Sequence, residues 1–167
     1  MVRAARVGYG PPVDEADRAE LIARYREGVA AVEDALTGAS DAELDAAPAD
    51  GGWTVRMVVH HLADSETNSH LRLRKLLAED GALIQGYDEA EFARRLHYDR
   101  PIDSSLAVFR AVRASSAELL DRLQGADWVR SGTHSESGPY SVTDWLEIYA
   151  AHAFAHADQI RTARASA

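Results

Sequence analysis

The chain has 167 residues, of which 46% are hydrophobic and 27% are charged, and its formal net charge is −9. This composition is typical of one globular domain, residues 1–167, and argues against both disorder and nucleic-acid binding. No apolar run reaches the roughly 20 residues that a membrane-spanning helix needs. Because the sequence has no cysteine, disulfides and a cysteine nucleophile are excluded, and any metal must be bound through imidazole or oxygen.

The first twelve residues, MVRAARVGYGPP, predict an extended arm. They carry arginines but lack the apolar core of a signal peptide, so we expect a cytoplasmic protein. From residue 13 to about Leu36, apolar side chains recur every three or four residues, which predicts a first amphipathic helix. Ser40 and Glu43 then form a capping-box pattern, which opens a short helical turn that closes at Ala47 and Pro48.

A second long helix is expected from Thr54, an N-cap residue after the glycines at 51 and 52, to about Glu79. Residues 82–101 have weak periodicity and predict a long connection with a short helix near 88–96. A third helix is expected over 104–123, ended by Gly125. Residues 128–140 predict a turn or a small hairpin, and a fourth helix follows from about Ser141 to about Ala165.

Four long helices, with long connections after the second and the third, predict an all-α four-helix bundle that forms a single domain. No segment of the sequence predicts a substantial sheet. The core of such a bundle is a common place for metal and ligand sites. Candidate functional residues are therefore expected on the helix faces that point inward.

Two of the seven histidines, His152 and His156, are four residues apart on the predicted fourth helix. At this spacing both imidazoles lie on one face and can converge on one ion. They also continue the inward-facing stripe of Trp145, Tyr149 and Ile160. The alternative is a pair of core histidines bound to backbone or carboxylate groups. Because two neutral rings side by side in a bundle need a shared partner, we favour a divalent transition metal.

A third ligand is expected from the second long helix, where His60 and His61 are adjacent. His61 lies beside the apolar stripe of this helix and is the first residue of a polar stripe. His60 points about 100° away and is a candidate for the rim of the site. The predicted metal ligands are therefore His61, His152 and His156. The remaining histidines are expected to be structural or solvent-exposed: His70, His97 and His134.

The second long helix also supplies four further candidate site residues: Asp64, Glu66, Asn68 and Arg72. Asp64 or Glu66 could act as a general base or orient a histidine through its second ring nitrogen, and the alternative for each is a surface carboxylate. Asn68 and Arg72 could contact an anionic group of a substrate, although a helix salt bridge explains Arg72 at least as well. Gln159 is a candidate partner for a ligand histidine. Trp53 and Trp145 fit the core better than substrate stacking.

Three segments of the chain resemble the DinB/YfiT-like superfamily of metal-binding four-helix bundles, and its YfiT-type branch most of all. They are GGWTVRMVVHHLADSETNSHLRLRKLL at 51–77, GYDEAEF at 86–92 and HAFAHADQI at 152–160. The resemblance implies one zinc or nickel ion per chain, bound by the histidine before the leucine of the HHL run, His61, and by the pair His152 and His156. Relatives often carry extra histidines where this chain has Ala153, Phe154 and Ala155.

The resemblance also implies a metal-dependent hydrolase that forms a homodimer and acts on a small molecule. Related members are similar to transferases and isomerases that use bacillithiol, mycothiol or glutathione. Three protein ligands leave one position of a tetrahedral metal open. We favour a hydrolase that activates water on the metal; the alternatives are an S-transferase that delivers a low-molecular-weight thiol such as bacillithiol to an electrophile, and a non-catalytic metal or small-molecule binding bundle.

Overall fold

A computed structural model describes residues 14–48 and 51–166 of the chain. The predicted N-terminal arm, residues 1–12, lies outside the described residues. The elements in chain order are α1 (Glu15–Leu36), α2 (Asp41–Leu44), α3 (Val55–Ala78), β1 (Ala82–Ile84), α4 (Glu89–Arg95), α5 (Asp103–Leu120), α6 (Gly125–Trp128), β2 (Ser131–His134), β3 (Gly138–Ser141) and α7 (Val142–Arg164).

Side-chain caps determine where several helices begin. Thr54 accepts a hydrogen bond from a backbone N–H in the first turn of α3, which confirms the predicted start of the second long helix. The capping box of Ser40 and Glu43 is present and starts α2. Ser141 and Asp144 form a second capping box at the start of α7. Each cap satisfies N–H groups that have no partner inside the helix.

The long helices α1, α3, α5 and α7 pack together as a four-helix bundle. Helix α7 lies along α1 and α3, and α5 lies against α3 and α1. Trp145 is fully buried in one layer of the core, where its indole N–H donates to the Ser69 carbonyl at 2.9 Å. Leu62 belongs to the other layer, together with Phe109 and Ile160. The predicted all-α four-helix bundle is confirmed, and so is the core position of Trp145.

A small three-stranded sheet lies at one end of the bundle, and the sequence predicted only its hairpin. Strands β2 and β3 form an antiparallel hairpin, as expected for residues 128–140, but β1 pairs in parallel with β2. Gly132 lies opposite Ala82, and a Cβ at position 132 would lie 2.2 Å from the Ala82 carbonyl oxygen. The pairing therefore requires glycine at this position, and it ties the connection after α3 to the connection after α5.

The two long connections contain more regular structure than expected. Helix α4 is confirmed near the predicted position. Helix α5 ends at Leu120, before the predicted end at residue 123, and α6 forms at Gly125, where the sequence predicted only a helix end. The cause is local, because the Gln124 backbone N–H donates to the Asp127 carboxylate at 2.7 Å and starts a new turn. None of the helices in the described ranges combines the length and the hydrophobicity of a transmembrane segment.

Candidate metal centre

The structure brings three histidines from two helices to one place. His61 lies on α3, and His152 and His156 lie one turn apart on α7. One ring nitrogen from each of the three lies within 4.8 Å of the other two. The Nε2 atoms of His152 and His156 are 3.1 Å apart, and the ring centroid of His61 is 4.7 Å from that of His156. This is the geometry expected from the sequence, and His60 does not belong to it.

Burial keeps the rings of His61 and His156 uncharged at neutral pH. His61 is 2% exposed, and burial, followed by repulsion from His156 and His152, lowers its pKa to about 2. Burial and the neighbouring His152 lower the pKa of His156 to about 3. Because a neutral imidazole has a lone pair on one nitrogen, both rings are in the protonation state that binds a metal ion.

A hydrogen bond at the second ring nitrogen orients His156 toward the shared space, and a carboxylate lies near the second ring nitrogen of His152. His156 Nδ1 lies 2.8 Å from Gln159 Oε1, so Nδ1–H donates to the amide oxygen and the Nε2 lone pair faces His152. His152 Nδ1 lies 3.5 Å from Glu66 Oε1. An acceptor behind a ligand histidine fixes its tautomer and raises its basicity. The Gln159 contact was anticipated from the sequence.

Glu66 lies on α3 behind His152 and is ion-paired. It is 1% exposed, and its Oε1 lies 2.5 Å from Arg113 Nη1 of α5. Arg113 is also 1% exposed, and it donates to the backbone carbonyls of Tyr25 and Tyr149. Its guanidinium occupies the space beside Gly28, where a Cβ would lie 2.8 Å from Nη2. No sequence pattern singled out Arg113, because an arginine in an amphipathic helix is usually on the surface.

Asp64 lies one turn after His61 and is half-buried. Its Oδ2 accepts a hydrogen bond from the Tyr98 hydroxyl at 2.6 Å. Tyr98 also stacks against His60, whose Nδ1 lies 2.7 Å from Ser105 Oγ and whose Nε2 lies 2.9 Å from the Arg100 carbonyl oxygen. His60 is therefore a buried structural histidine that anchors the α4–α5 connection.

Asn68 and Arg72 continue the same face of α3 away from the histidines. The Asn68 amide donates to the Asp64 carbonyl of its own helix at 2.8 Å. Arg72 donates through Nη1 to the Tyr149 hydroxyl and through Nη2 to the Gln85 carbonyl, both at 3.0 Å. The structure thus places Arg72 near the bundle interior and gives the Asn68 amide a local partner.

The histidine cluster has an accessible side. The His152 side chain is 18% exposed, and the Trp53 ring lies edge-on to His61 with centroids 4.9 Å apart. Within residues 14–48 and 51–166, no fourth histidine, aspartate or glutamate joins the cluster. Three nitrogen donors with no fourth side chain suit a divalent transition ion with an open coordination position. Such a position can bind water or a substrate atom.

Among characterised structures, the chain is similar to YfiT from Bacillus subtilis, described as "a probable metal-dependent hydrolase with an unusual four-helix bundle topology". The identity is 29%, the TM-score is 0.84, and the match covers 91% of this chain and 89% of that one. The shared fold therefore extends over nearly all of both chains.

Sequence relatives carry the name "putative metal-dependent hydrolase". The protein from Oceanobacillus iheyensis is 40% identical over 114 residues, which are 68% of this chain and 66% of that protein. The protein from Geobacillus thermodenitrificans is 35% identical over 153 residues, 89% of this chain and 84% of that one. The family model of the DinB superfamily matches residues 8–160. The chain belongs to the DinB superfamily.

Proposed function

We propose that this protein is a metal-dependent hydrolase that binds one zinc or nickel ion through His61, His152 and His156. The observation that carries the proposal is the convergence of three ring nitrogens from α3 and α7 within 4.8 Å of one another. The names of its relatives and the description of YfiT support the same reading. The donor set supports it as well, because neutral imidazoles are preferred ligands of both metals.

A divalent ion bound there would act as a Lewis acid and lower the pKa of a water molecule toward neutrality. The protein's own part is to orient the ligands and to move a proton. We assign the proton transfer to Asp64, since its carboxylate is half-buried and lies on the same face of α3 as His61. We assign Glu66 a positioning role, because it is enclosed by Arg113 and faces Nδ1 of His152.

A second candidate is the transfer of a thiol such as bacillithiol to an electrophile, and the absence of cysteine suits this reaction as well as hydrolysis. An enzyme that handles electrophiles at an open metal position benefits from having no thiol of its own to be alkylated. The two reactions use the same site and differ in the nucleophile. They are separated by assays of ester hydrolysis without thiol and of bimane conjugation to bacillithiol.

The first test is metal analysis of untagged protein, as purified and after incubation with zinc followed by desalting. We expect close to one zinc or nickel ion per chain, and its loss in His61→Ala, His152→Ala and His156→Ala. His97→Asn is the matched control, because His97 is exposed and has φ 53°, a conformation that asparagine tolerates. Wild-type protein that retains no metal, or alanine variants that retain it fully, would contradict the metal site.

The second test is activity of the loaded protein. We expect hydrolysis of p-nitrophenyl esters that disappears with a chelator and returns with zinc. Bimane conjugation without ester hydrolysis would identify the thiol transferase instead. If the metal-loaded protein is inert in both assays, the bundle is a non-catalytic metal or small-molecule binding protein.

A further inference from the structure

Among the described residues, half-buried Arg72 has no carboxylate partner. No aspartate or glutamate oxygen in the described part of the chain lies within 4.0 Å of its guanidinium, although ten arginine–carboxylate pairs form elsewhere there. The positions three and four residues away hold Asn68, Ser69, Lys75 and Leu76. The helix salt bridge that the sequence left open is therefore absent. A partly buried positive charge of this kind is stabilised by an anion.

Two buried hydrogen-bond donors of this region have no partner among the described residues. Arg72 Nε is buried and has no partner, and the same is true of the Tyr140 hydroxyl, on a side chain that is 4% exposed. Arg72 also lies 6.0 Å from the ring centroid of Tyr87, a neutral aromatic neighbour. The sheet connects Arg72 to Tyr140: the Gln85 carbonyl that Arg72 contacts follows Ile84, which pairs with His134. The His134 ring lies 5.6 Å from the Tyr140 ring. A buried donor without an acceptor raises the free energy of the folded protein. These donors therefore indicate that a bound ligand supplies the acceptor.

The side chain of Tyr149 links Arg72 to the histidine cluster. The Tyr149 hydroxyl lies 3.0 Å from Arg72 Nη1, and its ring packs edge-on against His152 with centroids 5.6 Å apart. A small molecule could therefore contact the open side of the histidine cluster at one end and Arg72 at the other.

We propose that Arg72, with the hydroxyls of Tyr140 and Tyr149, binds a carboxylate of the substrate, so that the substrate is a small acyl compound with a carboxylate at the end remote from the scissile bond. A guanidinium and a carboxylate match in geometry and form charge-assisted hydrogen bonds. One cation with neutral hydroxyls suits a single negative charge better than a phosphate dianion. The proposal rests on the proposed hydrolase function for its chemistry but not for the binding itself.

The catalytic test compares two esters of equal acyl length and the same leaving group, p-nitrophenyl valerate and mono-p-nitrophenyl glutarate. For zinc-loaded protein we expect kcat/KM to favour the glutarate ester about 10- to 100-fold, mainly through KM. Arg72→Gln should abolish the preference, and Tyr140→Phe should reduce it. Arg74→Gln is the matched control, because Arg74 lies on the same helix and binds Ser115 and His70 instead.

The binding test needs no catalysis. Titration of glutarate into wild-type protein, with and without zinc, should show saturable binding that Arg72→Gln weakens at least tenfold and Arg74→Gln leaves intact. Equal binding by both variants, or no binding by any, would overturn the carboxylate site. Failure to hydrolyse either ester contradicts the hydrolase alone, whereas hydrolysis without any preference for the glutarate ester contradicts the carboxylate site alone.

Discussion

Glu66 and Arg113 form an ion pair that is almost inaccessible to water and touches a proposed metal ligand. Glu66 Oε1 lies 3.5 Å from Nδ1 of His152 and 2.5 Å from Nη1 of Arg113. A carboxylate behind a ligand histidine typically changes metal affinity 10- to 100-fold. We therefore expect Glu66→Gln to weaken zinc binding by about this factor, measured by competition with a chromophoric chelator. Glu147→Gln, an exposed change on the helix that carries His152, should have no effect.

Glu66→Gln leaves Arg113 as a buried cation without its partner. Its effect on folding must therefore be separated from its effect on metal affinity. Removing one partner of a buried ion pair costs about 3–5 kcal/mol, whereas replacing both by apolar groups is often neutral. In metal-free protein, Glu66→Gln should lower the free energy of urea unfolding by about that amount, and Glu66→Gln with Arg113→Met should recover much of it. Zinc affinity should stay low in the double variant. Recovery of the affinity together with the stability would mean that Glu66 has a structural role only.

How far a residue's role could be predicted depended on how local its partners are. His152 and His156 are one turn apart, so the sequence predicted their shared face, and the position of His61 beside the apolar stripe predicted its inward direction. Arg113 contacts Glu66 across 47 positions of sequence, and no periodicity encodes that contact. The same holds for Tyr140, which reaches the surroundings of Arg72 from a different element.

Helix α1 contains a glycine that the bundle requires. At Gly28 a Cβ would lie 2.7 Å from the Cβ of Ala153 on α7 and 2.8 Å from Arg113 Nη2. Inside a free helix, glycine to alanine stabilises by about 0.5–1 kcal/mol. Here we expect Gly28→Ala to destabilise by about 1–3 kcal/mol, because α1 and α7 must move apart. Gly125→Ala, where nothing lies within 4 Å of the new Cβ, is the control, and urea unfolding measures both. A stabilised Gly28→Ala would refute the close packing.

Helix α2 is attached to the end of α7 through Glu43. Hydrogen bonds from the Ser40 backbone and hydroxyl, and then from Arg164, lower the pKa of Glu43 to about 2 from its usual 4.5. A lowered pKa in the folded state adds stability that is present above pH 4.5 and is lost as the pH falls toward 2. Glu43→Gln should thus be less stable than wild type at neutral pH, and the difference should disappear near pH 2. Thermal unfolding against pH measures this, with the exposed Glu20→Gln as control.

Elements with a repeating pattern were predictable, and elements made by distant pairing were not. The apolar spacing of α1, α3, α5 and α7 gave their approximate bounds, and caps such as Thr54 sharpened them. Strand β1 has three residues and exists because Ala82 pairs with Gly132, fifty positions later. The glycine was the available signal, since glycine inside a strand often marks a close backbone approach.

At the scale of the whole molecule, a metal ion at the three histidines would connect α3 to α7. Because the unfolded chain does not hold these rings together, binding adds directly to the stability of the folded state. At a free zinc concentration 100 times the dissociation constant, the gain is about 2.7 kcal/mol, which corresponds to a rise in Tm of roughly 5–10 °C for a chain of this size. Calorimetry with zinc and with a chelator measures it. An equal shift in His152→Ala would place the bound zinc elsewhere.

The most direct measurement of the proposed metal site is anomalous diffraction from crystals of untagged, metal-loaded protein, collected on both sides of the zinc and nickel absorption edges. The proposal predicts a single strong peak per chain, about 2.0–2.1 Å from one nitrogen each of His61, His152 and His156, with the remaining coordination position held by solvent or a small molecule. A peak bound by other residues, a fourth protein ligand that closes the site, or no peak at these histidines would contradict it.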